Sequence, residues 1–247
     1  EEVREARRWL GLDADTAVFL GLPDLGLTGL LMRAEPAVPT ALRREFATFA
    51  PTCVVLPALF DRHPDHSAAN ILVRLALLGI DAEFPRLLEF AVHGGVADGS
   101  VACELDASRQ DRKRAAILAH ATQMRLSGER FLGYAGAVEI FRATTADAVA
   151  NPQIPLRARA DNPGRLQVEL DAGRARGNSS LFIVMDGGKR ACRWLVPWKS
   201  GPAALPVFDV VQGKTVGAAQ VERAGKLVSL ALDAEGADWR LGFVKLA

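Results

Sequence analysis

Apolar positions recur at helical spacing from Glu2 and stop at Gly11, a residue suited to the left-handed position just past a helix end. Residues 16–22 (Thr-Ala-Val-Phe-Leu-Gly-Leu) form a short β-type run closed by Pro23-Asp24, so the first predicted unit is a helix followed by a strand. The unit repeats: a helix over 39–49, then a continuous apolar run over 52–56 of the kind found in parallel strands buried on both faces. A polar loop, 61–65, precedes a helix predicted over 66–78, with Asp65 as candidate N-cap and Gly79 as its C′ residue. Residues 87–92 read as a strand, and Asp106 or Ser108 can cap a long helix over 109–126 that ends at Gly128 and leads to 138–142. Such alternation predicts an α/β fold, a Rossmann-like, mainly parallel sheet with flanking helices.

The pattern changes near residue 150. Asn151-Pro-Gln-Ile-Pro155 is rich in breakers, and helical periodicity is absent beyond it. Six short β-type runs follow, at 166–170, 180–185, 193–197, 204–211, 226–232 and 239–246, with a hairpin signal at Asp186-Gly187-Gly188. The expected organisation is a first domain over 1–148 and a small, all-β, sandwich-like domain over 149–247.

With 247 residues, 49% of them hydrophobic and 24% charged, the chain can bury a substantial core. Thirty Lys plus Arg against 29 Asp plus Glu leave a net charge of +1, which provides no electrostatic footprint for nucleic acid. No apolar run approaches the roughly 18 residues of a membrane span, and the polar start has no signal-peptide core, so a cytoplasmic location is expected. Cys53, Cys103 and Cys192 are odd in number and widely spaced, and they read as small buried hydrophobes rather than a disulfide or zinc framework. The chain has no initiator Met, and Glu1 to Trp9 read as the middle of a helix without a capping residue. The natural protein is therefore expected to extend upstream, with an opening βα unit missing here.

Two of the four histidines lie in His63-Pro-Asp-His66, between an expected strand end and the next helix. Ligands of open α/β sheets bind outside the carboxyl ends of the strands, so this loop occupies a site position. His66 falls in the first helical turn, where the positive end of the macrodipole favours a neutral ring able to ligate zinc. The two-residue gap is short for paired zinc histidines, which favours one ligand and one free ring. In the plainer reading Asp65 caps the helix, Pro64 sets the turn and both rings are solvated. His93, before Gly94-Gly95, is a candidate substrate contact or a turn residue, and Asp24 is likewise a turn residue or a substrate contact. Lys113, His120 and Gln123 fall near one helical face, which suggests a buried hydrogen-bonding role. Trp194, Trp198 and Trp239 suit either core packing or sugar stacking.

Cys53-Val-Val-Leu-Pro57 followed by Asp61-Arg-His-Pro-Asp-His-Ser-Ala-Ala-Asn70 resembles the second signature of the LmbE/PIG-L family of zinc-dependent N-acetylglucosaminyl deacetylases. Other landmarks are similar and in the same order. They are Leu10-Gly11 before Phe19-Leu-Gly-Leu-Pro-Asp24, Lys113 with Ala116, His120-Ala-Thr-Gln123, and Val138-Glu-Ile-Phe-Arg142. The resemblance covers roughly residues 1 to 145 and rests on three motifs in order. It implies a zinc ion and a carboxylate base that activate water against the acetyl group of an N-acetylated sugar or glycoconjugate. His66 would then be a zinc ligand, His63 would stabilise the oxyanion or protonate the leaving amine, and Asp65 would orient or cap.

The family's His-Pro-Asp-Asp tetrapeptide, which supplies the other ligands and the base, occurs nowhere in these 247 residues. Catalytic zinc needs three protein ligands, so the chain as it stands is expected to be inactive. The alternative is a carbohydrate-binding or interaction protein built on a degenerate deacetylase domain. A nucleotide- or phosphate-binding reading is weak, because no Gly-rich phosphate loop occurs.

Overall fold

The computed structural model describes residues 1–13, 16–77, 80, 85–93, 100–144, 157–160, 165–171, 180–186, 191–198, 203–224, 227–233 and 241–246. In chain order the elements are α1 (Glu2–Trp9), α2 (Leu27–Met32), α3 (Ala37–Phe49), β1 (Cys53–Pro57), α4 (Pro64–Leu77), β2 (Arg86–Phe90), β3 (Ser100–Glu104), α5 (Ala107–Leu118), α6 (Ala121–Leu132) and β4 (Val138–Thr144). Then come β5 (Arg157–Ala160), β6 (Arg165–Asp171), β7 (Ser180–Asp186), β8 (Ala191–Pro197), β9 (Ala204–Asp209), β10 (Lys214–Ala224), β11 (Leu227–Asp233) and β12 (Leu241–Leu246). The fold is mixed α/β with two sheets, one mixed and one antiparallel. Two compact units are formed, Glu1–Gly21 with Asp98–Arg142 and Leu22–Ala97 with Ala143–Ala247. The expected boundary at 148/149 lies outside the described residues.

In the first unit, α1 ends as its sequence predicts. Gly11 takes φ +71°, and the amides of Gly11 and Leu12 donate to the carbonyls of Arg8 and Arg7, which closes a Schellman motif. Asp106 caps α5 through the Arg109 amide at 2.8 Å. The single helix expected over 109–126 is broken in two at His120, whose ψ of 64° is not helical. The Glu2 carboxylate supplies the second helix start, accepting from the Thr122 amide at 2.8 Å and hydroxyl at 2.7 Å. That partner is 120 residues away, which is why local spacing does not announce the break. Gly128 does not end α6 either, since the helix kinks at Ser127 and continues to Leu132. Residues 17–23 belong to no strand, contrary to the expectation for 16–22, and Val18 and Phe19 are exposed. Strands β3 and β4 pair antiparallel, from Ser100 opposite Arg142 to Glu104 opposite Val138.

In the second unit β1 and β2 pair parallel, from Cys53 opposite Arg86 to Pro57 opposite Phe90, with α4 as their crossover. The mainly parallel sheet of the expectation is thus one parallel and one antiparallel pair. Apolar runs report burial, not strand direction. Nor is β1 buried on both faces, since Cys53 and Val55 are exposed. Cys103 is exposed as well, which corrects the reading of these thiols as core residues, and the side chain of Cys192 lies outside the described residues.

Helix α4 is the most buried helix, because Ala68, Ile71, Leu72 and Leu75 line one stripe against Leu31, Met32, Val38, Leu59 and Val184. Each fully buried Leu or Ile there contributes about 1.5–3 kcal/mol. On its other side α4 carries a buried polar network. Arg74 Nη2 lies 2.9 Å from Glu89 Oε1 and 3.0 Å from Thr144 Oγ1, and Arg74 Nε donates to Asn70 Oδ1 at 2.8 Å. Asn70 Nδ2 donates to the Pro57 carbonyl at 2.7 Å and to Glu89 Oε1 at 2.8 Å. The helix is thereby tied to the carboxyl end of β1 and to β2.

The remaining strands form one eight-stranded antiparallel sheet, ordered β12-β7-β8-β9-β10-β11-β6-β5. It is a single sheet where a two-sheet sandwich was expected. The strands β5 and β10 were absent from the six predicted runs, and the hairpin signal at 186–188 falls between the paired β7 and β8. Trp194 and Trp198 are buried, the first donating from Nε1 to Asp209 at 3.3 Å, so neither offers an open face to a sugar. Trp239 lies outside the described residues. Among the described residues no helix is long and apolar enough to cross a membrane.

Candidate functional site

Two loops leave the carboxyl ends of the adjacent parallel strands β1 and β2, and they bring together residues 27 to 32 positions apart in sequence. One carries Asp61 and His63 and runs into the first turn of α4, which carries Asp65 and His66; the other carries Val92 and His93. The ring centroids of His63 and His66 are 4.5 Å apart, with His93 5.9 Å and 5.6 Å from them, and all three rings are stacked at interplanar angles of 16–28°. The rings are half-buried. His93 therefore lies beside the other two rings.

Asp61 organises this cluster, and the sequence reading did not single it out. Its carboxylate is fully buried. Oδ1 accepts from the His63 amide at 2.9 Å, a turn that an Asp two residues ahead of its partner commonly makes. Oδ2 accepts from the amides of Val92 at 2.8 Å and His93 at 3.1 Å. His66 Nδ1 lies 3.0 Å from the same Oδ2, without the alignment of a full hydrogen bond, and this buried nitrogen has no other partner among the described residues. The Arg62 amide donates to the His93 carbonyl at 3.0 Å and joins the loops a second time. The one available signal was Asp61 itself, two residues ahead of His63.

Helix α4 begins at Pro64, two residues ahead of the expected start, because proline suits the first helical position. Asp65 is therefore inside the helix and is not its N-cap. Its buried carboxylate instead accepts from the Leu27 amide at 3.0 Å and caps the unforeseen helix α2. The capping position of α4 is held by His63, whose Nδ1 accepts from the Asp65 amide at 3.2 Å. A neutral His63 thus carries its proton on Nε2.

The other anticipated residues have different settings. Asp24 is exposed in the turn closed by the Gly26 amide on the Pro23 carbonyl, as the turn reading holds. Lys113 lies on α5 and pairs with Glu139 at 2.6 Å, His120 stands at the helix break, and Gln123 is exposed on α6. The shared face expected for these three does not exist, because two helices carry them. Stacked rings do not converge their nitrogens on one point, and among the described residues no group of three or more His, Cys, Asp or Glu is arranged to hold a metal ion.

Burial pushes the Asp61 carboxyl up, but the hydrogen bonds from the His63, His93 and Val92 amides together with the nearby His66 ring outweigh it and hold the group below its ordinary value. A depressed carboxylate contributes stability above its unfolded value of about 3.9, and this is lost as pH falls through the lower folded value. The difference in urea midpoint between wild type and Asp61→Asn is accordingly expected to be flat above about pH 4 and to shrink only below it. Shrinkage around pH 6.5 would instead assign the effect to a histidine.

No family model matches the chain, and no curated protein matches it. Among solved structures it is similar to the crystal structure of the conserved protein TT1542 from Thermus thermophilus, at 27% identity over 59% of this chain and 72% of that one, with a TM-score of 0.44.

Proposed function

We propose that the cluster is one wall of a zinc-dependent N-deacetylase site acting on an N-acetylglucosamine-type sugar or glycoconjugate, in a Rossmann-like α/β domain. The observation that supports this reading is the gathering of His63, His66 and His93 around buried Asp61 at the ends of two adjacent parallel strands. With Nδ1 of His66 against Asp61, Nε2 is the nitrogen left for a metal, an arrangement common to zinc-bound histidines. His66 thus fits as one ligand. His63, with Nδ1 engaged by the Asp65 amide, offers Nε2–H to a developing oxyanion or to the leaving amine. His93 lines the substrate side, and Asp65 serves structure through α2 rather than chemistry. Bound zinc would supply Lewis-acid polarisation of the carbonyl and a more acidic water.

One histidine does not make a three-ligand site, so this reading takes the remaining ligands and the base from outside these 247 residues, and the chain alone does not turn over. The same shortfall favours the second reading, a carbohydrate-binding or interaction protein on a degenerate domain. Zinc content and acetate release are to be measured on the chain alone and on the chain expressed with the coding sequence preceding Glu1. Zinc-dependent release by the longer protein only is the expected result. A longer protein that lacks the His-Pro-Asp-Asp tetrapeptide, and that binds N-acetyl sugars without cleaving them, establishes the binder.

A further inference from the structure

We propose that Asp61 is the positioning residue of this site: its carboxylate directs the ring proton of His66 to Nδ1 and, through the amides of Val92 and His93, seats the third histidine beside the other two. The tautomer part stands on geometry alone, and only its consequence for zinc rests on the deacetylase reading.

An ionised carboxylate accepts and never donates, with about four lone-pair positions on two oxygens. Around Asp61 stand the His63 amide at Oδ1, and the Val92 amide, the His93 amide and His66 Nδ1 at Oδ2. The Val92 and His93 amides follow the end of β2 and the His63 amide precedes α4, so these donors lie outside the β1–β2 ladder, and without Asp61 each would need another partner. The fourth neighbour is a ring nitrogen that can be donor or acceptor. Two acceptors facing each other at 3.0 Å repel, so a neutral His66 keeps its proton on Nδ1 and leaves Nε2 bare.

The adjacent histidine is set the other way. The Asp65 amide donates to His63 Nδ1, which places the His63 proton on Nε2. Two rings stacked 4.5 Å apart thus hold opposite tautomers, one offering a lone pair and the other a proton, and two different groups enforce them. Asparagine at position 61 would keep one acceptor oxygen and present an NH2 group where a donor already points. The same seat would then both lose acceptors and release the His66 tautomer.

The chain has only four histidines, so the ring nitrogens can be read individually by 15N NMR on the whole protein at about pH 8, above the ordinary imidazole pKa of about 6.5. Wild type is expected to show protonated Nδ1 and bare Nε2 for His66, with the reverse for His63. Asp61→Asn is expected to move His66 toward protonated Nε2 while His63 stays as it was, a selective change that a loss of general stability would not produce. Should Asp61→Asn fail to fold, wild type still decides: a His66 proton on Nε2 overturns the proposal. Zinc ion titrated against the His66 signals of both proteins, each expressed with the coding sequence preceding Glu1, should require about 10–100-fold more metal in Asp61→Asn. Correct tautomers with no zinc response at His66 in either protein would remove the deacetylase reading and leave Asp61 in its positioning role.

Discussion

Glu89→Ala is expected to destabilise the second unit by about 3–5 kcal/mol, seen as a lower urea midpoint with an unchanged slope. The reason is what remains behind. Glu89 Oε1 accepts from both Arg74 and Asn70, and all three side chains are buried. Removing the carboxylate strands a guanidinium in the interior, where the charge has lost its counterion and cannot reach water. Replacing Arg74 and Glu89 together by Met and Leu is expected to recover most of the loss, since an apolar pair of similar volume has no desolvation penalty to offset. A double variant as unstable as Glu89→Ala would show that the cost comes from the shape of the site and not from the unpaired charge. The consequence reaches the candidate site, because Asn70 also holds the Pro57 carbonyl at the end of β1, and the histidine-bearing end of α4 is seated by that contact.

The second large effect is a split between two neighbouring histidines. If the proposed deacetylase reading holds, His66→Ala in the protein expressed with its preceding coding sequence weakens zinc retention by more than the roughly 10–100-fold that loss of an outer partner costs, because that reading makes His66 a ligand. His63→Ala is expected to retain zinc and to lower kcat by about 10²–10³, the usual cost of one oxyanion donor. The difference follows from the two Nδ1 atoms: that of His66 faces a carboxylate, and that of His63 receives an amide proton. Metal analysis beside an acetate-release assay reads both effects. Equal zinc content in wild type and His66→Ala would end the ligand assignment, and unchanged kcat in His63→Ala would end the donor assignment.

Much of the local structure was written in short stretches of sequence. Gly11 stops α1 because it alone takes a positive φ there without strain, and Asp106 starts α5 because its carboxylate reaches an amide three residues on. His63-Pro-Asp-His66 stands after a strand and at a helix start, as its residue types and spacing require, since proline suits the first helical position and the apolar run before it suits a strand. These are short-range facts, settled within one turn of chain.

Tertiary structure decided whatever depends on partners distant in sequence. Glu2 breaks the expected long helix by capping a new start at Thr122, and Asp65 turns from its own helix to cap α2 at Leu27. The 16–22 run has strand composition and no strand partner, and β1 has a buried-strand composition with an exposed face. Above all, the role of Asp61 exists only because two strand ends lie side by side, so that amides 31 and 32 residues further along meet its oxygens. Residue type can specify what a side chain is able to bind; only the packed chain specifies which groups come within hydrogen-bonding distance of it.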